Sequence, residues 1–156
     1  MDDDIKFLRS AIETAKRSIK EGGGPFGALV VKDGKIISRS GNKVVNSNDP
    51  TAHAEVLAIR EAACVLKTYD LTGCVLYTSC EPCPMCLGAI YWSRLSGVVY
   101  ASVRNDAADA GFDDDLIYHE ISKDPSLRKI SFRLIEDKDA KEVFRIWKSY
   151  GDKIPY

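Results

Sequence analysis

Two short motifs near the middle of the chain carry side chains that bind metals and move protons. His53-Ala54-Glu55 supplies an imidazole and a carboxylate, and Pro82-Cys83-Pro84-Met85-Cys86 supplies two thiols three positions apart. Zinc binds imidazole and thiolate ligands, and a catalytic zinc keeps only three protein ligands plus a water. One histidine and two cysteines provide those three ligands. The sequence therefore predicts a catalytic Zn2+ site, with one ion per subunit.

The cysteine pair is predicted to lie at the start of a helix. Proline is favoured at the first helical position, which makes Pro84 that position and Cys83 the residue before it. Cys86 then lies one turn further along, on the same side of the helix. The positive end of the helix dipole stabilises the thiolate form in which cysteine binds a metal. We therefore expect both thiols to face one ion.

Glu55 is predicted to transfer protons and not to bind the metal. His53 and Glu55 are two positions apart, which is ~200° around a regular helix, so they do not face one ion from the same side. Zinc makes a bound water acidic, and a nearby carboxylate can carry the proton of that water to a substrate. This division leaves His53, Cys83 and Cys86 as the zinc ligands.

Two other interpretations of the cysteine cluster stay open. A lone Cys-x-x-Cys can be a redox pair, although a redox pair does not require His53 and Glu55 upstream. A closed structural zinc with Cys80 as fourth ligand would make the protein a non-catalytic zinc module, and three cysteines at this spacing also resemble part of an iron–sulfur run. The other cysteines, Cys64 and Cys74, lie in apolar stretches and are predicted to be buried.

Composition and charge exclude several classes of protein. The chain has 156 residues, enough for one domain with a core, and its hydrophobic content of 45% is too high for intrinsic disorder. Lysine plus arginine number 22 against 23 acidic residues, without the surplus expected of a nucleic-acid-binding protein. No apolar run approaches the ~20 residues of a membrane span, and the acidic start is unlike a targeting peptide. We expect a cytoplasmic protein without membrane or nucleic-acid partners.

The elements around the motifs alternate between helix and strand. This alternation predicts an α/β fold in a single domain spanning residues 1–156. We expect three layers, with a mixed sheet between two layers of helices (αβα). Apolar residues at positions 5, 8, 12, 15 and 19 predict the core face of the first helix. Strands are predicted at 26–31, 35–38, 74–78, 97–101 and 131–135. Helices are predicted at 51–66, 84–92, 116–121 and 138–150, and an acidic loop at 106–115.

The motifs are similar to the signature of the zinc-dependent cytidine deaminase-like superfamily. The likeness extends over Gly24–Ala28, Asn48–Glu55, Tyr77–Cys86, Ala89–Trp92 and Ala110–Asp114, and there it resembles the bacterial guanine deaminases. The resemblance implies hydrolysis of guanine to xanthine and ammonia, a step of purine catabolism or salvage. It also implies a five-stranded sheet between helices, and a homodimer that exchanges a C-terminal segment from about residue 106.

The resemblance also implies which residues contact the purine base. Asn42 and Asp114 would bond its polar edges, because an amide both donates and accepts and a carboxylate accepts. Phe26 and Trp92 would cover its faces, and Tyr156 of the partner subunit would close the site. Asp113 and Asp115 stay open as alternatives to Asp114. The substrate contacts that the resemblance implies are, together, Phe26, Asn42, Ala54, Trp92, Asp114 and Tyr156.

The nearest alternative is a deaminase of adenosine in transfer RNA, which shares the metal motifs. Such an enzyme needs a cationic docking face, commonly on its C-terminal helix. Residues 136–156 instead balance basic and acidic side chains, which favours guanine, although related amino-heterocycles such as triazines stay open. The basic residues are Lys138, Lys141, Arg145, Lys148 and Lys153, and the acidic ones are Glu136, Asp137, Asp139, Glu142 and Asp152.

Overall fold

A mixed sheet with helices on both faces organises the larger part of the protein. The structure, a computed structural model, describes residues 2–156. These divide into a sheet unit, up to Asp114, and a C-terminal unit, Asp115–Tyr156. The helices of the sheet unit are α1 (Asp2–Lys20), α2 (Val44–Ser47), α3 (Ala54–Leu66), α4 (Pro84–Trp92) and α5 (Arg104–Asp109), and its strands are β1 (Gly27–Lys32), β2 (Lys35–Gly41), β3 (Cys74–Cys80) and β4 (Gly97–Ser102).

The order of the strands is β2-β1-β3-β4, with β3 and β4 parallel and the other pairs antiparallel. Side chains of β1 alternate between the two faces, as a strand buried on both sides requires. Leu29 and Val31 pack on the face covered by α1, with Phe7 and Tyr77. Ala28 and Val30 pack on the other face, with residues of α3. The predicted three-layer αβα architecture is therefore confirmed for this unit.

The prediction of a fifth strand is wrong, since the sheet of the described residues has four. Residues 131–135 carry strand-like alternation, but they belong to the C-terminal unit, which has no other strand among its described residues to pair with. Phe132 is instead half exposed, and the Arg128 guanidinium lies 4.8 Å from its ring centre. Alternation alone does not form a strand unless a neighbouring edge accepts its backbone hydrogen bonds.

Two helix boundaries also differ from the sequence prediction. Residues 51–53 precede α3, because the Asp49 carboxylate accepts from the backbone N–H and the hydroxyl of Thr51 at 2.8 and 2.7 Å and holds a turn there. Helix α5 extends into the predicted acidic loop at 106–115, and its start is fixed by a 3.0 Å bond from the Val103 N–H to the Asp106 carboxylate. Local side-chain bonds thus decide where both helices begin.

The buried face of α1 is only partly the predicted one. Ala15 is buried as predicted and Leu8 and Ile12 are half-buried, but Ile5 and Ile19 are about half exposed. The other buried residues of the helix are Phe7 and the small residues Ala11, Thr14 and Ser18. Small side chains let the helix axis approach the sheet closely.

A hydrogen bond attaches the first turn of α1 to the sheet. The Tyr77 hydroxyl donates to the Asp4 carboxylate at 2.6 Å, and burial together with this bond raises the pKa of Tyr77 to about 12.

The C-terminal unit contains α6 (Asp115–Ile121), a 3-10 turn (Pro125–Leu127) and α7 (Lys138–Ser149). Neither helix has a buried residue among those described, although α7 has an apolar stripe formed by Val143, Phe144, Ile146 and Trp147. An amphipathic helix normally buries such a stripe. Within residues 2–156, no helix combines the length and apolar composition needed to cross a membrane.

Replacing Gly27 by alanine should loosen the contact between α1 and β1. A Cβ at this position would overlap the backbone of α1 at Ala11 and Ala15, which cannot move as a flexible side chain could. We expect Gly27→Ala to lower the free energy of unfolding in urea by roughly 1–3 kcal/mol. Gly97→Ala is the matched control in the same sheet, because its nearest atoms are 3.9 Å away. An equal effect in both variants would contradict this close approach.

Candidate active site and metal centre

Several sequence-predicted site residues lie at one end of the sheet. The register pairs Gly27 with Gly41 and Ala28 with Thr78, so the start of β1 lies beside the ends of β2 and β3. Phe26 immediately precedes β1 and Asn42 immediately follows β2. The segment that leaves β3 leads directly to Cys83. Pairing of the strands therefore places these residues at the same end of the sheet.

Two helices begin at this end of the sheet and carry the metal-binding side chains. His53 is the residue before α3, with extended backbone angles, and Cys83 occupies the same position before α4. Pro84 is the first residue of α4, as predicted, and Cys86 is buried one turn further along. The first N–H groups of each helix have no partner inside the helix and stabilise negative charge on nearby atoms.

The three side chains form a compact group of donors. His53 Nδ1 lies 3.5 Å from Cys83 Sγ and 3.5 Å from Cys86 Sγ, and the two sulfurs are also 3.5 Å apart. Tetrahedral zinc ligands, with bonds of about 2.3 Å to sulfur and 2.0–2.1 Å to nitrogen, stand about 3.8 Å (sulfur to sulfur) and 3.6 Å (sulfur to nitrogen) apart. One imidazole and two thiolates at this spacing fit Zn2+ and leave the fourth position to a non-protein ligand.

The electrostatics of the group favour a thiolate at Cys83. Bonding to the Cys86 thiol, the His53 imidazole and the Cys86 backbone lowers the pKa of Cys83 to about 4. The bond to Cys83 and burial raise the pKa of Cys86, so that the pair shares one proton before a cation binds. The Cys83 thiolate in turn raises the pKa of His53. Charge on the sulfur is thus already stabilised by this environment.

Glu55 lies on the first turn of α3 and is only 4% exposed. Burial raises the pKa of its carboxyl above the usual range, and the nearby Cys83 thiolate raises it further. The hydroxyl of the fully buried Thr78 donates to Glu55 Oε1 at 3.3 Å. A carboxyl so placed can take up and release a proton next to the donor group, away from bulk water.

Thr78 was not predicted as a site residue, although the sequence pattern of β3 could have indicated that its hydroxyl is buried. Cys74 and Leu76 pack on the α3 face of the sheet, and the period of two along β3 puts Thr78 on the same face. A threonine in a core position of an otherwise apolar strand indicates a buried partner for its hydroxyl. That partner is Glu55.

Cys80 is not part of the donor group, which contains His53, Cys83 and Cys86. Its thiol is directed to the Val103 carbonyl oxygen at 3.7 Å, and burial raises the pKa of Cys80 to about 11. A protonated, differently bonded thiol is a poor fourth ligand for a closed zinc site. Of the remaining cysteines, Cys74 is buried as predicted, but the prediction for Cys64 is wrong, because it lies on the exposed side of α3.

Asn42 and Phe26 are both fixed at the sheet end. Asn42 is 7% exposed, and its Oδ1 accepts from the Val44 N–H at 3.1 Å. The Phe26 ring is partly buried and makes an edge-on contact with Phe112, their centres 5.0 Å apart. Phe112 is a second residue that the sequence analysis missed. It follows Gly111, whose positive φ of 92° turns the chain.

The structure distinguishes among the three consecutive aspartates. Asp114 is partly buried, and burial together with the Cys83 thiolate raises the pKa of its carboxyl. Asp113 is exposed, and Asp115 lies in the C-terminal unit, where it pairs with His119 at 3.1 Å. The Asp114 carboxyl therefore lies close enough to the cysteine pair to interact electrostatically with the Cys83 thiolate.

The remaining predicted contacts lie in different surroundings. Ala54 is fully buried as the first residue of α3, beside the donor group. Trp92 ends α4, about 13 Å of helical rise from Cys83, and is 69% exposed. Tyr156 belongs to the C-terminal unit and is 71% exposed. Both aromatic side chains are therefore largely exposed, in contrast to Ala54.

Residues 1–102 match the family model for the cytidine and deoxycytidylate deaminase zinc-binding region, a match that includes all three metal-binding residues and Glu55. The chain belongs to this deaminase family. The prediction of a zinc enzyme of the cytidine deaminase-like superfamily is confirmed, and the fold of this deaminase carries the donor group that the family name implies.

Comparison with individual proteins shows which members of the family this chain resembles. This deaminase is 52% identical to the guanine deaminase of Bacillus subtilis, over 96% of its own length and 97% of that protein. The X-ray structure of that enzyme superposes with a TM-score of 0.95 over 97% of both chains. A guanine deaminase structure from Nitrosomonas europaea gives a TM-score of 0.67 at 36% identity, over 69% of this chain and 63% of that one. The resemblance to guanine deaminases is thus confirmed.

A transfer-RNA enzyme is also similar, over a shorter region. The tRNA-specific adenosine deaminase of Aquifex aeolicus is 47% identical over 97 residues, which are 62% of this chain and 64% of that protein. The shared region is thus shorter than the one shared with the Bacillus subtilis guanine deaminase. Similarity to guanine deaminase extends through the C-terminal unit as well.

Measuring the zinc content of variants distinguishes the three-ligand site from a closed site in which Cys80 is the fourth ligand. We expect Cys83→Ser to lose most of its zinc, because serine does not supply the soft thiolate that the ion prefers. Cys80→Ser should keep about one equivalent, since this thiol bonds to a carbonyl instead. Elemental analysis of the purified variants, after dialysis against a weak chelator, gives both values. Loss of zinc from Cys80→Ser would make Cys80 a ligand.

Proposed function

We propose that this deaminase hydrolyses the C2 amino group of guanine, giving xanthine and ammonia. The observation that carries the proposal is the open donor group with a buried carboxyl beside it. Similarity along nearly the whole chain to a guanine deaminase supports guanine as the base. The balanced charge of residues 136–156 also argues against a docking face for transfer RNA.

Zinc at His53, Cys83 and Cys86 supplies, when bound, a water acidic enough to attack an electron-poor carbon at neutral pH. Glu55 accepts a proton from the attacking water and delivers it to a ring nitrogen next to C2. The same carboxylate then moves the second proton of the water to the amino group, which leaves as ammonia. C2 keeps the oxygen as a carbonyl, so the sum is guanine plus water giving xanthine plus ammonia.

The other residues at the sheet end bind and orient the base in this proposal. The Asn42 amide and the Asp114 carboxylate bond its polar edges, and the Phe26 ring, supported by Phe112, covers one face. Ala54 offers the backbone of the first turn of α3. Trp92 covers the other face of the base in this proposal, and Tyr156 of the partner subunit closes the site.

Turnover of guanine, with Glu55→Gln as the companion variant, tests the reaction. We expect the zinc-loaded protein to convert guanine to xanthine, followed by ultraviolet absorbance, and to leave adenine, cytosine and an adenosine-bearing anticodon stem-loop unchanged. Glu55→Gln should retain zinc and lose about 10²–10⁴-fold in kcat, because the amide cannot carry a proton.

Different results would contradict different parts of the proposal: the substrate, or the role of Glu55. Turnover of the stem-loop without turnover of guanine would overturn the substrate and keep the deaminase chemistry. Wild-type rates in Glu55→Gln would remove Glu55 as the proton carrier. Turnover of a triazine alone would move the substrate to a related amino-heterocycle.

We also propose a homodimer in which each C-terminal unit packs on the other subunit. The unit is small, and the stripe on α7 is 44–70% exposed, so a second chain is the simplest means of covering it. The sheet unit has its own apolar surface on α4, with Leu87, Tyr91 and Trp92 exposed by 42, 77 and 69%. The exchange would bring Tyr156 of the partner subunit to the donor group.

Mixed dimers test the exchange directly. A Glu55→Gln subunit has an intact C-terminal tail but an inactive metal centre. A subunit that lacks Tyr156 has an intact metal centre but an incomplete tail. If the tails are exchanged, a heterodimer contains one site with both parts intact, and a random mixture should recover about a quarter of wild-type activity. Co-expression with two affinity tags and light scattering gives the measurement. No recovery in confirmed heterodimers would show that each tail serves its own subunit.

A cytoplasmic location stays a prediction, supported by thiolate ligands that need a reducing compartment. The expected lack of a nucleic-acid partner likewise stays a prediction, which the stem-loop arm of the turnover assay tests.

A further inference from the structure

Asn42 is bonded on several sides by groups that take no part in the chemistry. The Ser18 hydroxyl, on the last turn of α1, donates to the Asn42 carbonyl oxygen at 3.0 Å. The Asn42 N–H donates to the Phe26 carbonyl at 3.0 Å, and the Val44 N–H donates to Asn42 Oδ1 at 3.1 Å. Both the backbone and the amide of this residue therefore have a fixed orientation.

The hydrogen bond from the Val44 N–H also fixes which group of the Asn42 side-chain amide points away from α2. Because Oδ1 accepts from the first residue of α2, the Nδ2 group is directed to the opposite side. Nδ2 can only donate hydrogen bonds. A base that meets this end of Asn42 must present an acceptor, and guanine has acceptors at O6, N3 and N7.

The glycines before Phe26 allow these contacts to form. A Cβ on Gly24 would lie 3.1 Å from Asn42 Cγ and 3.2 Å from Oδ1, closer than side chains ordinarily pack. A Cβ on Gly23 would lie 2.6 Å from Ser18 Oγ and would overlap the Asn42 carbonyl oxygen. Ser18 is 3% exposed, so water does not compete for its hydroxyl.

We propose that Ser18 and Gly24 are positioning residues for guanine, acting through Asn42. This inference rests on the proposed function, in which Asn42 touches the base. Ser18 holds the backbone of Asn42 from α1, and Gly24 leaves the space in which its amide lies. Neither residue reacts, and neither belongs to the metal-binding donor group of His53, Cys83 and Cys86. Their effect is therefore on affinity for the base, not on the chemical step.

Thr14 provides a matched control for Ser18. It lies one turn earlier on the same helix, is also 3% exposed, and its hydroxyl donates to the Ser10 carbonyl at 2.8 Å, within the helix itself. Thr14→Val removes a buried hydroxyl that makes no hydrogen bond to Asn42. Ser18→Ala removes a buried hydroxyl that donates to the Asn42 carbonyl oxygen.

Steady-state kinetics of the zinc-loaded full chain with guanine test the proposal. Ser18→Ala should raise KM about three- to tenfold, the range for one lost hydrogen bond, with kcat within about twofold and zinc unchanged. Thr14→Val should leave both constants unchanged. Gly24→Ala, which has no positive φ to strain, should raise KM in the same way and serves if Ser18→Ala does not fold.

A double-mutant cycle decides whether Ser18 acts through Asn42. Asn42→Ala should raise KM by itself, and Ser18→Ala in that background should add nothing further. An unchanged KM in both Ser18→Ala and Gly24→Ala, or equal increments with and without Asn42, would overturn the inference. An unchanged KM in Asn42→Ala would remove Asn42 from the substrate site and the inference with it. Absence of guanine turnover in the unmodified protein would overturn the proposed function itself.

Discussion

The metal centre depends on two helices that begin at the same place. His53 precedes α3 and Cys83 precedes α4, and only because these two starting points meet can an imidazole nitrogen lie 3.5 Å from both thiols. The sheet enforces the meeting, since α4 connects β3 to β4 while α3 packs across β1 and β2. Each helix also presents its positive end to the thiolates, so backbone electrostatics and ligand geometry favour the same arrangement.

The chemistry was more predictable from the sequence than the packing. His53, Glu55, Cys83 and Cys86 could be grouped because metals and proton transfer demand particular side chains at short spacings, and Pro84 marked the start of a helix. The buried face of α1 could be found only in part from hydrophobicity, because proximity to the backbone of Gly27 selects the small residues Ala11 and Ala15 there over larger ones. A periodicity of apolar side chains reports what a helix can bury, not how closely its neighbour approaches.

The fifth strand and the helix boundaries were mispredicted for related physical reasons. Residues 131–135 alternate as a strand does, but strand formation requires a partner edge, which is a property of tertiary structure. The start of α3 depends on an Asp49 carboxylate that holds Thr51 in a turn, and a propensity rule sees only that both residues suit a helix start. Thr78 and Phe112 were missed because each matters through a contact distant in sequence.

The first helix is attached to the sheet at both of its ends, by Asp4 to Tyr77 and by Ser18 to Asn42. Between these bonds its small side chains lie against β1, so the helix has little freedom to shift along its axis. A change at the amino-terminal turn is therefore transmitted as a displacement of the last turn, where Asn42, which we propose binds the base, is held. In practice, we expect that trimming the first residues of α1, or fusing a rigid tag to them, displaces Asn42 at the opposite end of the helix.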